Sequence, residues 1–375
     1  MNILIVAKDY PPKVGGVENY SQNLAEGLKE HHHCQVLTFA AKNSPISKSD
    51  GINVKRIHPI IESEIVKSIQ LSLMILWVLM TSKINVICAT TWKVATPTLL
   101  LKYFFKFRLF ITVHGAEITR HQDSRLAMKV MNRVLNSAYR IISVSEFTKK
   151  MTLEYCTKLK ASNIHVVANG IHFENLKPIS SNIARQKLKL PQNGPILLTI
   201  SRIDNRKGQG IIIEAIPELL KAHPSLKYVI VGDGPLRSSL QEKVKQLNIV
   251  DHVIFTGFVD FAELDLYYSA CDIFVLLNTM KSDKDFEGFG LVFAEAAYYK
   301  KPSIAGNNGG PKEVIENGVT GYLIEPNTKN FIELFKKIDI RPENLTNIGE
   351  FAYQRTIDRY DIKKMIRITN SIIIQ

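Results

Sequence analysis

Short β-rich apolar runs alternate with helix-length amphipathic segments along nearly the whole chain, and the alternation starts afresh near the middle. A strand followed by a segment long enough to cross back over a sheet is the pattern of a parallel sheet covered on both faces. In the first half, strands are expected at residues 3–7, 35–39, 54–57, 85–88, 109–113, 140–144 and 164–167, with helices at 17–30, 65–82, 93–107 and 123–136. In the second half, strands at 195–201, 226–231, 253–256, 273–276, 302–304 and 322–324 alternate with helices at 209–222, 235–247 and 291–299. The restart follows a polar stretch, 175–194, that holds Pro178, Pro191 and a Ser180-Ser181 pair and reads as an interdomain linker with a short helix at 184–188. The expectation is an α/β chain of two facing, doubly wound domains, 1–180 and 181–355. A terminal segment, 356–375, carries a helix over 359–374 that returns to the first domain.

Several classes fall away early. Cys34, Cys88, Cys156 and Cys271 are widely spaced, which fits reduced, mostly buried thiols rather than a metal site. The triplet His31-His32-His33 lies between a predicted helix and strand and reads as a polar turn. The first residues hold only a few apolar side chains before Lys8-Asp9, unlike a secretory signal. The longest apolar stretch, 69–80, is shorter than the ~20 residues of a membrane span.

Ligands of doubly wound sheets bind outside the carboxyl ends of the strands, so the chemistry is sought in the loops that follow them. After the first strand comes Gly15-Gly16 in a loop longer than a dinucleotide turn and lacking Gly-x-Gly-x-x-Gly, which argues against an NAD enzyme. The pair fits either a phosphate approached by bare backbone or a flexible helix cap. His114, followed by Gly115, ends the fifth strand, where it either points into a cleft or serves the packing. Arg202 and Lys207 flank the turn after strand 195–201; a fork-shaped and a point-like cation suit a diphosphate, as a solvated charged turn would also read. Glu287-Gly288-Phe289-Gly290-Leu291 and Glu295 form the most specific stretch. With Glu287 in the loop and Glu295 on the second turn of the following helix, glycines free the amides at the helix start for phosphate while two carboxylates accept from hydroxyls. The alternative is that these acids merely stabilise the helix dipole.

Taken together these loops resemble glycosyltransferase family 4, the retaining GT-B enzymes that use nucleotide-sugars, over almost the whole chain. The matching residues are Gly15-Gly16-Val17-Glu18, His114-Gly115, Asn169-Gly170-Ile171, Ser201-Arg202 with Lys207-Gly208, Gly232-Asp233-Gly234-Pro235, Gly257-Phe258-Val259, Glu287 to Glu295, Gly309-Gly310 with Glu313, and the turn Asn317 to Leu323. Gly310-Pro311-Lys312-Glu313 departs from the family, which more often has an aliphatic residue and then Pro-Glu. The resemblance implies that Arg202 and Lys207 hold the donor diphosphate and stabilise the leaving nucleotide, with Gly16 amides assisting. Glu295 would bind the ribose, and Glu287 with amides near Gly288, Phe289, Gly290 and Leu291 the transferred sugar. His114 would lie beside that sugar, Val259 would offer its backbone to the base, and Asp233 would support the nearby loop. The donor would be a UDP- or GDP-sugar, used as substrate, with no cofactor and no metal. Configuration at the anomeric carbon would be retained, a donor phosphate oxygen taking the acceptor's proton.

Charge then separates the halves. Of the net +13, residues 1–180 carry 23 basic and 12 acidic side chains, a net +11, while the remainder is nearly neutral. Donor binding therefore does not explain the excess, which belongs to the half expected to bind the acceptor. His121, Arg125, Lys129 and Arg133 recur every four residues on the helix after His114, and Lys102-Tyr103-Phe104-Phe105-Lys106-Phe107-Arg108 mixes aromatics with cations. The stripe reads as an anionic-membrane or acceptor contact, and the Phe residues as buried on the sheet. The expected partners are thus a nucleotide-sugar, a glycan or glycolipid acceptor such as a lipid-linked or lipopolysaccharide-type glycan, and an anionic membrane surface. The expected location is peripheral, on the cytoplasmic face of the cell membrane. A small soluble acceptor and a non-catalytic binding subunit remain alternatives; nucleic acid is disfavoured because no recognised motif accompanies the charge.

Overall fold

The computed structural model describes residues 1–13, 15–40, 52–279 and 286–375, which divide into two compact units, Met1–Gly170 with Ile362–Gln375, and Ile171–Asp361. The first unit is built on a seven-stranded sheet whose strands all run parallel: β1 (Asn2–Val6), β2 (His33–Phe39), β3 (Asn53–Ile57), β4 (Val86–Ala89), β5 (Arg108–Val113), β6 (Arg140–Ser143) and β7 (Ile164–Val166). Their spatial order is β3-β2-β1-β4-β5-β6-β7, so the winding reverses between β1 and β4. Side chains alternate across β1. Ile3 and Ile5 pack on helices Gly16–Lys29 and Ile362–Ile374, while Leu4 and Val6 share the other face with helices Glu64–Thr81 and Arg125–Ser137. Gly27 allows the terminal helix to approach, since a Cβ there would stand 2.3 Å from Ile366.

The second unit repeats the plan with six parallel strands: β8 (Ile196–Ile200), β9 (Lys227–Val231), β10 (Val253–Gly257), β11 (Ile273–Leu276), β12 (Ser303–Gly306) and β13 (Gly321–Ile324). The order β10-β9-β8-β11-β12-β13 puts its reversal between β8 and β11. Ligands of such sheets sit at the carboxyl ends beside the reversal, which selects the loops after β8 and β11.

Three boundaries differ from expectation. The division falls after residue 170 rather than 180, because residues 171–187 are bonded into the second unit. Ile171 donates its N–H to the Tyr360 carbonyl at 2.7 Å, and Lys177 and Ile179 donate theirs to Asp265 and Ser269 side chains at 3.2 Å. Arg185, buried on helix Ser181–Lys187, donates to Asp272 Oδ2 at 2.7 Å and to the Ala270 carbonyl at 3.0 Å. The stretch is therefore no free linker. Second, helix Pro342–Arg359 belongs to the second unit, and the returning helix begins at Ile362 rather than 359. Third, the helix expected at 93–107 is two short turns, Trp92–Ala95 and Thr98–Leu101, parted at Pro97, which has no N–H to continue the ladder.

Candidate active site

At the end of β8 the chain turns through Ser201–Gly208 into helix Gln209–Leu219. Gly208 is the N-cap, with φ +71°, and a Cβ there would lie 2.2 Å from the Leu277 carbonyl oxygen, just past β11. Only glycine fits this left-handed, close-packed position. Thr279 ties the two loops together, donating its N–H to the Arg206 carbonyl at 2.7 Å and its hydroxyl to Asn205 at 2.9 Å.

This junction brings Lys207 to Glu287. The ammonium donates to Glu287 Oε2 at 2.7 Å, and the two side chains keep 15% and 28% of their exposure. The charge of Lys207 beside it, with Arg206 adding a smaller share, holds the Glu287 carboxyl below the usual carboxylate range against the opposing effect of burial. Glu287 lies in the loop and Glu295 on the second turn of helix Leu291–Tyr298, capped by Gly290 at φ +92°. Neither this helix nor Gln209–Leu219 has a side-chain cap, so among the described residues the amides of Gln209, Gly210, Leu291 and Val292 are left for an anion, while those of Ile211 and Phe293 bond the cap carbonyls. Burial pushes the Glu295 carboxyl up, eased by the Tyr268 hydroxyl donating to Oε2 at 2.7 Å. Arg202 is exposed in the turn after β8 and makes no ion pair among the described residues. Val259 is half-buried in the loop after β10. Asp233 accepts from the Gly234 amide at 2.7 Å and from Arg237 at 2.9 Å, shaping its own turn.

Supports of the site come from distant parts of the chain. Gly309 and Gly310 buttress the Glu287 loop from behind: the Gly310 amide donates to the Glu287 carbonyl at 2.7 Å, and a Cβ on Gly310 would meet Phe289 backbone at 2.3 Å. Tyr268 comes from helix Phe261–Ala270, which lacks a clear amphipathic rhythm, and no sequence signal pairs it with Glu295. Asn278, buried just past β11, has neither amide atom bonded to a described residue, and Gln209 Oε1 likewise has no partner among the described residues. Polar residues directly after strands beside the reversal are the one signal that would have found them.

In the first unit, Gly15 caps helix Gly16–Lys29, and a Cβ on Gly16 would meet no atom of the described residues within 4 Å, so none of them demands glycine there. His114 lies immediately after β5. Its Nε2–H donates to the Thr90 carbonyl at 3.0 Å, its backbone N–H donates to Glu117 Oε1 at 2.5 Å, and the Tyr20 ring meets it edge-on at 4.9 Å. Burial lowers its pKa, so the neutral ring is favoured, with Nε2 protonated and Nδ1 an acceptor. Thr90, whose carbonyl sets that tautomer, and Glu117, which fixes the His114 backbone, carry no signal in the sequence.

Arg125, Lys129 and Arg133 are exposed along one face of helix Arg125–Ser137, whose opposite face buries Met131, Val134 and Leu135. His121 does not join them: it precedes the Ser124 N-cap and packs on Trp92, ring centroids 5.9 Å apart. The aromatic run also differs from expectation. Phe105 and Phe107 pack against the core, but Tyr103 and Phe104 are exposed because the short turn ending at Leu101 points them outward.

The family model for Glycosyltransferase Family 4 matches residues 14–175 and that for glycosyl transferases group 1 matches residues 180–355, leaving only the chain ends and a short gap. A GDP-mannose-dependent alpha-(1-6)-phosphatidylinositol monomannoside mannosyltransferase of Mycolicibacterium smegmatis is 26% identical over 341 residues, 86% of this chain and 85% of that one. An uncharacterized glycosyltransferase of Methanocaldococcus jannaschii is 27% identical over 351 residues, 88% and 87% of the two chains. Among solved structures, sucrose-phosphate synthase from Thermosynechococcus elongatus shares the fold with a TM-score of 0.84 at 21% identity, covering 99% and 98% of the chains. Anabaena HepE in complex with UDP gives 0.82 at 22%, covering 100% and 99%.

Proposed function

Because the chain belongs to the glycosyltransferases that join a family 4 domain to a group 1 domain, and has their GT-B fold, we propose that it moves a hexose from a UDP- or GDP-sugar to a hydroxyl of a lipid-linked or lipopolysaccharide-type glycan at a membrane surface. The observation that carries the donor half is the Lys207–Glu287 pair, 2.7 Å apart, set between two uncapped helix starts at the β8/β11 reversal. Lys207 and Arg202 hold the diphosphate and oppose the charge that grows on the leaving nucleotide. Glu287, kept ionised by Lys207, accepts from hydroxyls of the transferred sugar, and Glu295, braced by Tyr268, accepts from the ribose. Amides at Phe289 and Gly290 complete the sugar contact, and Val259 offers its backbone to the base. Neutral His114 accepts a sugar hydroxyl at Nδ1.

Configuration is retained in this scheme: the acceptor hydroxyl attacks on the leaving-group side and passes its proton to a donor phosphate oxygen. The cations of the chain do the electrostatic work, so no metal is needed. The lipid acceptor is supported by the +11 of residues 1–180 and by the exposed Arg125, Lys129 and Arg133, each worth ~1 kcal/mol at an anionic leaflet. It agrees with two relatives, the mannosyltransferase above and an alpha-monoglucosyldiacylglycerol synthase of Streptococcus pneumoniae, 30% identical over 193 residues, 49% of this chain and 41% of that one. The test is transfer from a panel of UDP- and GDP-sugars to a lipid extract, with chelator present and the product anomer read by NMR. An inverted anomer or chelator-abolished activity overturns the mechanism; transfer only to water-soluble sugars overturns the acceptor.

A further inference from the structure

Helix Glu64–Thr81 covers one face of the first unit's sheet with Leu71, Ile75, Val78 and Leu79. At 100° per residue these fall on one side. Ile65, Ile69, Leu73, Trp77 and Met80 fall on a separate arc of about 120°, and no polar residue of the helix lies within it. That second arc is open: Ile65 is 74% exposed, Leu73 61%, Met80 71% and Trp77 48%. Five large apolar side chains in one row are far more than the scattered exposed residues of an ordinary surface. The helix is long and apolar enough to cross a membrane by length and composition. Four of its side chains are committed to the sheet core, so it is held lying on the domain.

We propose that this outer face is an in-plane membrane anchor, seated among the headgroups and upper acyl chains of an anionic bilayer. Charge complementarity selects that occupant. The helical layer that carries the apolar row also carries exposed Arg125, Lys129 and Arg133, and exposed Leu100, Tyr103 and Phe104 beside Lys106. The Lys55 ammonium stands 4.3 Å over the Trp77 ring, an aromatic and a cation paired at the edge of the row. A second copy of the chain would bring these cations face to face with their own kind; anionic headgroups would neutralise them. The anchor deepens the membrane address proposed above and rests on it. It shifts the main contact from the cationic stripe to the apolar helix, which supplies the insertion that charge alone does not.

Trp77 makes the test direct, because the only other tryptophan, Trp92, is buried. The full chain is mixed with vesicles of equal parts phosphatidylcholine and phosphatidylglycerol, with and without brominated acyl chains. The chain is expected to float with the vesicles, and bromine to quench a tryptophan signal that Trp77→Phe removes. Ile69→Glu with Leu73→Glu, both at exposed positions, should lower the bound fraction at least about tenfold while leaving the thermal midpoint and nucleotide release from the donor unchanged. Unquenched Trp77, or flotation untouched by the double variant, overturns the proposal. So does a dimer in sedimentation that the double variant splits while vesicles bind neither form. Failure of the transferase reading looks different: flotation and quenching would persist with no nucleotide released from any donor.

Discussion

The pair at the centre of the proposed donor site makes a quantitative prediction when Lys207→Met, Glu287→Gln and the double variant are compared with the parent. At 2.7 Å and an effective dielectric constant of ~20, the attraction is about 6 kcal/mol. Desolvation of two side chains that keep only 15% and 28% of their exposure offsets most of it. A coupling of about 1–2 kcal/mol is expected, above that of exposed pairs. The direction with pH follows from Glu287, whose carboxyl Lys207 holds below the usual range. Its stabilisation is present above the carboxyl's unfolded value and is lost as pH falls through the folded one. Because the chain has two units, the readout is hydrogen exchange at the β8 and β11 amides, which reports the stability of that region alone. The coupling should be full at neutral pH and fade in acid, and Lys207→Met alone should flatten the acid dependence. A coupling under ~0.3 kcal/mol at neutral pH, or one unchanged by acid, refutes the reasoning.

Gly208→Ala forces a side chain into φ +71° against the Leu277 carbonyl, so exchange protection around β8 should fall by at least about 1–2 kcal/mol, with donor affinity falling alongside. Glu295→Ala should raise the donor KM about 10- to 100-fold with a smaller effect on kcat, and Tyr268→Phe should raise it only several-fold, as steady-state kinetics would show. Burial lowers the His114 pKa, so the unfolded chain takes up that proton first and stability drops as pH falls below ~6.5; melts from pH 7 to 5 should show His114→Gln losing less than the parent. Arg185→Met leaves Asp272 without its guanidinium partner and should lower the second unit's stability by about 3–5 kcal/mol, seen as a lower calorimetric midpoint.

Periodicity located every strand of both sheets to within a residue or two, because the central strands are short β-rich runs buried on both faces and the edge strands, though partly exposed, keep the strand–helix alternation. Helices whose buried face is polar or mixed escaped it. Helix Glu146–Tyr155 buries Thr148 and Thr152, which read as solvent-facing, and Phe261–Ala270 is apolar on too many sides to show a stripe. The boundary at 170 depends on bonds from residues 171–187 to partners 85 or more positions away, such as Arg185 to Ala270 and Ile179 to Ser269, and no local pattern encodes those. The candidate donor site was easier to read, since Arg202, Lys207, Glu287 and Glu295 follow strands and sit near glycines. What holds them is non-local: Gly310 behind Glu287, Tyr268 under Glu295, Thr90 beneath His114. The outer face of Glu64–Thr81 was hidden for a different reason. That helix is apolar nearly all round, so its pattern alone could not say which side meets the core.

The most direct test of the central claim is nucleotide release by the purified chain across UDP- and GDP-sugars, with and without a lipid acceptor. At least one donor should be turned over, faster with acceptor, and Lys207→Met or Glu287→Gln should lower that rate by about 100-fold or more while the fold persists. A chain that releases no nucleotide from any donor, or variants as active as the parent, would contradict the assignment of donor chemistry to these residues.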